Sequence, residues 1–228
     1  MSDFLQRYDR YILLKQNGFS FIKKDEKGKW QHENITFPLS IELLENVSFF
    51  KDDCLKPVTV ISNIHAPILI PKVLFDETAK EDYINLNYEI EEPIFIFNEK
   101  LEEYLLLHFI KESQKAILEQ SCCPLQWLHL SGLLHKELRQ SEFYDSNKSY
   151  FSLYADENFI DFIFEKEGKL QIMNRFEYTS SYDILYYILN IIKQFDVSTS
   201  DISLISYNLQ DQEIILLLEQ YIEQVFFY

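Results

Sequence analysis

Between residues 149 and 194 the alternation of apolar and polar positions is unusually regular. Three runs, 150–155, 159–165 and 169–178, alternate with period two and are separated by turn residues, so three consecutive strands are predicted. In the middle run Ile160, Phe162 and Phe164 share one face, with Asp161 and Glu165 on the other. Leu170, Ile172 and Phe176 repeat the arrangement in the third. The spacing becomes helical at Ser181, where Ile184, Leu185, Tyr187, Ile188, Ile191, Ile192 and Phe195 fall on one broad stripe. A strand at 202–206 and a helix capped by Asp211, with Ile214, Ile215, Leu217, Leu218, Tyr221, Ile222 and Val225 inward, follow.

The beginning of the chain reads similarly. Strands at 11–16 and 19–24 flank Asn17-Gly18, a hairpin signal because both residues tolerate positive φ. A polar third strand at 29–35 suits a sheet edge. Pro38 starts a helix with Ile41, Leu44, Val47 and Phe50 inward, and 58–61 is a buried strand. The segment 67–71 is fenced by prolines and belongs at an edge. Short helical turns are expected over 73–83, a strand at 94–97, a helix over 99–110 and a strand at 116–120. A second helix over 124–139 contains Gly132, which a close helix crossing would explain, and 140–148 is the predicted linker. Three strands, a helix and a further strand thus occur twice. That order is the ribonuclease-H-like plan, and two in tandem make an actin-like ATPase architecture, an α/β fold with mixed sheets. The expected halves are 1–145, with insertions, and 146–228.

Three segments carry a more specific resemblance: 12–21 (ILLKQNGFSF), 68–75 (ILIPKVLF) and 168–189 (GKLQIMNRFEYTSSYDILYYIL). In them the chain resembles a bacterial family known as domain of unknown function 3822. The resemblance implies an actin-like ATPase fold and carries over no catalytic residue.

Charge narrows the function classes. Thirty-seven carboxylates against 21 lysines and arginines give a net charge of −16. Between Tyr150 and Tyr228 thirteen carboxylates face four cations. Such a field repels a phosphate backbone, so direct nucleic-acid binding is not expected, and a basic protein partner is. Three cysteines, Cys54 and the adjacent Cys122 and Cys123, offer no Cys-x-x-Cys spacing, and free thiols in a reducing compartment are expected. Apolar runs such as 214–218 are too short to span a bilayer, and the first residues lack the pattern of a signal peptide. A cytoplasmic chain without membrane contact is the expectation.

An actin-like ATPase holds phosphate in the first turn of each half, where glycine lets backbone N–H groups approach closely. This chain has four glycines. If a nucleotide binds, the candidates are Asn17, Gly18 and Ser20 in the first half and Asp156 and Asn158 in the second. The second turn, Asp156-Glu157-Asn158, carries two carboxylates and no glycine, and Ser206-Tyr207-Asn208 after the later strand has none either. Carboxylates facing a phosphate chain are repulsive without a metal. A degenerate nucleotide site and no bound cofactor are therefore expected. Asp156, Asp161 and Asp183 are the nearest approach to a two-metal nuclease site, but Asp183, three residues after Ser180, fits a helix cap. His129 and His135 lack the i, i+4 spacing of a helical zinc pair, so no metal and no catalytic residue is assigned. Asp156, Glu157, Asn174, Arg175 and Tyr178 are the candidates for partner binding, with Tyr186 and Tyr187 nearby in sequence. The expected role is a non-catalytic interaction or scaffold protein. The alternatives are an ATP-binding chain with atypical loops and a small-molecule binder in the cleft between halves.

Overall fold

The chain reverses at Gln16-Asn17, one residue before the expected Asn17-Gly18 turn. Gly18 is the first residue of the second strand, paired with Lys15, and the positive φ is at Gly18 and not at Asn17. The computed structural model describes residues 8, 10–24, 30–36, 40, 42, 57–121, 124–156, 158–209 and 211–227. The helix expected from Pro38, the three cysteines and Glu157 lie outside them. The described chain forms two compact units, Tyr8–Gly132 and the chain from Leu133 onward.

In the N-terminal unit β1 (Arg10–Lys15), β2 (Gly18–Lys24) and β3 (Trp30–Thr36) form an antiparallel meander. Parallel strands β4 (Val58–Ser62) and β8 (Leu125–His129) extend it in the order β3-β2-β1-β4-β8. Between β4 and β8 the chain builds a second, antiparallel sheet from β5 (Ile68–Pro71), β6 (Ile94–Leu101) and β7 (Tyr104–Lys111), ordered β5-β7-β6. The proline-fenced β5 occupies the expected edge. Helix α1 (Lys80–Asn85) follows two short 3-10 turns.

Three expectations in this region are corrected. The residues read as a helix over 99–110 are the hairpin β6–β7, because the run from Leu105 to Ile110 is buried continuously, as in a strand covered on both faces. Residues 116–120 lie in helix α2 (Glu112–Ser121), which is rich in glutamate, glutamine and lysine and buries Leu118. The helix expected over 124–139 divides into β8 and α3 (Leu130–Gln140). Gly132 in α3 is explained by a side chain rather than a helix crossing, since an added Cβ would stand 2.9 Å from Glu99 Oε2.

The C-terminal unit follows the sequence reading in its order of elements, but Tyr221, expected inward on the last helix, is exposed, because the buried face of that helix is set by Ile214 and Leu218. Strands β9 (Ser149–Ala155), β10 (Phe159–Lys166) and β11 (Lys169–Glu177) form the meander, and α4 (Ser181–Gln194) crosses to the parallel strand β12 (Ile202–Tyr207). Helix α5 (Gln212–Tyr221) then leads to β13 (Gln224–Phe227), parallel to β12 and not foreseen from sequence. The order β11-β10-β9-β12-β13 repeats that of the first sheet. Phe151, Phe162, Phe164 and Leu204 pack against Ile184, Ile188, Ile214 and Leu218, all fully or nearly fully buried. Each such side chain contributes about 1.5–3 kcal/mol.

The opposite face of β10 is not the wet face that the alternation implied. Asp161 and Glu165 are both completely buried. Arg175 holds Asp161 with two bonds of 3.0 Å. Glu165 accepts from Arg139 Nε at 3.0 Å and from the Tyr144 hydroxyl at 2.8 Å, and His135 Nε2 lies 2.7 Å from it. Burial raises the carboxyl pKa of Glu165, and the hydrogen bonds from His135 and Arg139 outweigh it, leaving the group below its ordinary range.

Candidate functional site

The turns that would hold phosphate in an actin-like ATPase are the place to test chemistry. In the N-terminal unit the turn is built by β1 and β2 and is flanked by β3. Gly18 pairs with Lys15 and Thr36, and a Cβ on it would stand 2.1 Å from the Ile35 carbonyl oxygen. Its missing side chain is therefore demanded by the neighbouring strand. Ser20 reaches the same strand, its hydroxyl donating to Asn34 Oδ1 at 2.7 Å, while Asn17 is exposed at the turn.

In the C-terminal unit the turn lies between β9 and β10, and the Asp156 N–H and the Asp156 and Asn158 carbonyls are already engaged. The Asp156 N–H donates to Phe159 O at 2.9 Å, closing the hairpin on itself. The Asp156 carbonyl accepts from the Tyr178 hydroxyl at 2.8 Å, and the Asn158 carbonyl from Tyr178 N–H at 3.0 Å. Asn208, in the left-handed region with φ of 59°, donates its amide to Ala155 O at 2.8 Å. The end of β11 and the end of β12 thus fasten the turn from two sides. Burial raises the pKa of the Tyr178 hydroxyl, and the carboxylates of Asp156 and Asp211 raise it further. The local field is negative, unsuited to a phosphate and suited to a cation.

The acids around this end are ordered by the helix starts. Asp183 Oδ2 accepts from the backbone N–H groups of Thr179 and Ser180, each at 2.9 Å, and these bonds hold its carboxyl below the ordinary range. It is a helix cap, as its spacing from Ser180 predicts. Asp211 Oδ1 accepts from Glu213 N–H at 2.8 Å and caps α5. Ser181 Oγ donates to Glu213 Oε2 at 3.1 Å, linking the starts of α4 and α5. Tyr187 stacks on Phe176 at 4.7 Å and donates to Glu177 O, whereas Tyr186 is exposed.

The sequence candidates are therefore spread over different surroundings. Asp156, Asn158 and Tyr178 come together. Arg175 is an interior residue whose guanidinium faces Asp161, and Asn174 turns its side chain to the Arg175 N–H at 2.8 Å. Asn208 and Asp211 belong to the same end and were not among the candidates. The signal for Asn208 is its residue type at the end of a predicted strand, where asparagine tolerates positive φ. His129 is fixed by its backbone surroundings: Nδ1 accepts from Ser131 N–H at 3.1 Å, so Nε2 carries the proton and donates to His65 O at 3.0 Å. Among the described residues no three histidines, cysteines or carboxylates are grouped to hold a metal ion, and no helix is long and apolar enough to cross a membrane. A cavity of about 440 Å³ opens at the other end of the C-terminal sheet, by Ser149, Asp201 and Gln224. Its lining mixes Lys148 and Lys166 with Glu167, Asp196 and Asp201.

Known structures with this arrangement identify the architecture. A crystal structure from Bacteroides thetaiotaomicron, of a protein with actin-like ATPase fold and unknown function, superposes with a TM-score of 0.75 at 20% identity, covering 100% of this chain and 94% of that one. A PilM–PilN type IV pilus biogenesis complex superposes with a TM-score of 0.54 at 11% identity, covering 95% and 87%. The fold is the actin-like ATPase fold, two ribonuclease-H-like halves in tandem. No curated protein matches the chain. Residues 4–225 match the family described as "Protein of unknown function (DUF3822)", and the chain belongs to that family.

Proposed function

We propose that this member of the DUF3822 family is a non-catalytic interaction or scaffold protein. On this reading it keeps the actin-like frame with turns that no longer serve nucleotide, and it binds a basic protein partner through its acidic surface. The observation that carries the reading is the β9–β10 turn: the Asp156 and Asn158 carbonyls are occupied by Tyr178, the Asp156 N–H by the hairpin itself, and the carboxylates of Asp156 and Asp211 stand close by. Anions are repelled from such a place, and the excess of carboxylates favours encounter with a positively charged face. One of the similar structures is a protein–protein complex, PilM–PilN, which is in keeping with an interaction role.

Two measurements test it. Millimolar Mg-ATP is expected to leave the melting temperature unchanged, because a ligand at 100 times its Kd stabilises by about 2.7 kcal/mol and would be plain in a thermal scan. A saturable shift would return the chain to the nucleotide binders. Reversing Asp156 and Glu157 to lysine is expected to slow association with the native partner, purified from cells with the chain, and to leave the melting temperature nearly unchanged. Equal association rates of variant and wild type at low salt would refute docking at this turn.

A further inference from the structure

In the C-terminal unit, every large hydrophobic residue that stands exposed among the described residues lies on one layer. Tyr182 (61% exposed) and Tyr186 (64%) are on α4, and Leu216 (58%) and Tyr221 (46%) are on α5. Both helices cover the same face of the sheet, and Ser181 and Glu213 join them where they start. Tyr182 and Tyr186 are four residues apart, so they share one side of the helix, and the Tyr186 ring meets that of Tyr187 edge-on at 5.9 Å. Isolated exposed apolar residues need no explanation, but a concentration on one layer marks an interaction surface.

The charge on that layer is one-sided. Asp183, Asp211, Glu213, Glu219 and Glu223 face a single cation, Lys193, over the two helices and the residues flanking α5. Exposed apolar side chains set among carboxylates select their occupant. A second copy would set these acids against their own counterparts, on molecules that each carry −16. Nucleic acid and anionic lipid are repelled in the same way. A lysine- and arginine-rich amphipathic segment meets every feature: its cations lie over the tyrosine faces and beside the carboxylates, and its apolar side packs on Leu216.

We propose that the outer layer formed by α4 and α5 is the docking surface for a basic amphipathic segment of a partner protein, anchored on Tyr182 and Tyr186. This rests on the reading of the chain as an acidic interaction protein and names the surface and the chemistry of its partner.

The test uses the full chain and a fluorescein-labelled amphipathic peptide of lysine and leucine, followed by anisotropy at near-physiological salt. A version with glutamine for lysine is the control. The wild type is expected to bind the lysine peptide and not the glutamine one. Combining Tyr182→Ala with Tyr186→Ala is expected to weaken binding about tenfold, the scale of a lost aromatic anchor, at an unchanged melting temperature. The corresponding pair of phenylalanine substitutions, which keeps the ring faces, is expected to bind like wild type. Binding of the lysine peptide that ignores the alanine pair but falls with Asp156→Lys and Glu157→Lys overturns this surface and leaves the acidic-partner reading standing. No binding by the wild type even at low salt overturns both. Equal binding of the glutamine peptide removes charge from the recognition and overturns the proposal. So does a dimer in sedimentation that the alanine pair disperses, or capture of the wild type by anionic vesicles.

Discussion

Replacing Glu165 with alanine is expected to destabilise the C-terminal unit by about 3–5 kcal/mol, read from urea unfolding at pH 7. The side chain is fully buried, so no solvent screens what is left behind. Arg139 loses its counter-charge, His135 the carboxylate 2.7 Å from its Nε2, and the Tyr144 hydroxyl its acceptor. Glu165→Gln keeps a carbonyl oxygen for these donors and is expected to cost less. Apolar replacement of Glu165, Arg139 and His135 together is also expected to cost less than the single alanine, because it strands no charge. The same carboxylate gives the unit a pH dependence with a definite sign. Its folded pKa lies below the ordinary 4.5, so its contribution is complete above 4.5 and is lost as pH falls through the lower folded value. In Glu165→Gln that part of the acid sensitivity is expected to disappear.

Gly18→Ala is expected to destabilise the N-terminal unit by about 3 kcal/mol or more, at the upper end of overpacking costs, with or without ATP. The Cβ alone meets the Ile35 carbonyl oxygen at 2.1 Å, a backbone atom held by the β2–β3 ladder, so alanine is expected to be nearly as harmful as valine. A glycine kept for phosphate would behave otherwise: alanine would leave the apo protein intact and abolish a nucleotide-induced shift. An apo Gly18→Ala as stable as wild type in urea would show that the glycine has another purpose.

The C-terminal unit was legible because its strands alternate cleanly and its helices carry one wide stripe each. The misread region shows where that signal stops. Across the β6–β7 hairpin the residues Leu101, Tyr104, Leu105, His108 and Phe109 satisfy a helical spacing, yet Leu105–Ile110 is buried at every position, His108 included, and periodicity cannot separate the two cases. Leu125 and Leu128 in β8 fit a helix as well as a strand, and only pairing with β4, in which Val58 stands opposite Leu125, decides it. The buried side of β10 was illegible for another reason. Aspartate and glutamate at alternate positions denote a wet face unless partners cover them, and the partners Arg175, Arg139 and Tyr144 are remote in sequence from the strand's own pattern. At the candidate site the absence of turn glycines and the two carboxylates were visible in the residues themselves. The part taken by Tyr178 and Asn208 in fastening the turn was not, since it depends on three strand ends meeting.

The contact between Asn174 and its neighbour bears on how the molecule keeps its own company. Strand β11 is the outermost of its sheet and, at nine residues, long enough to template another chain. The Arg175 N–H points away from β10 and is answered by the Asn174 side chain, so a donor that an incoming strand would need is already satisfied within the chain. Edges closed in this way resist ribbon-like stacking of sheet upon sheet. At this position of β11 the edge offers an incoming strand no free donor.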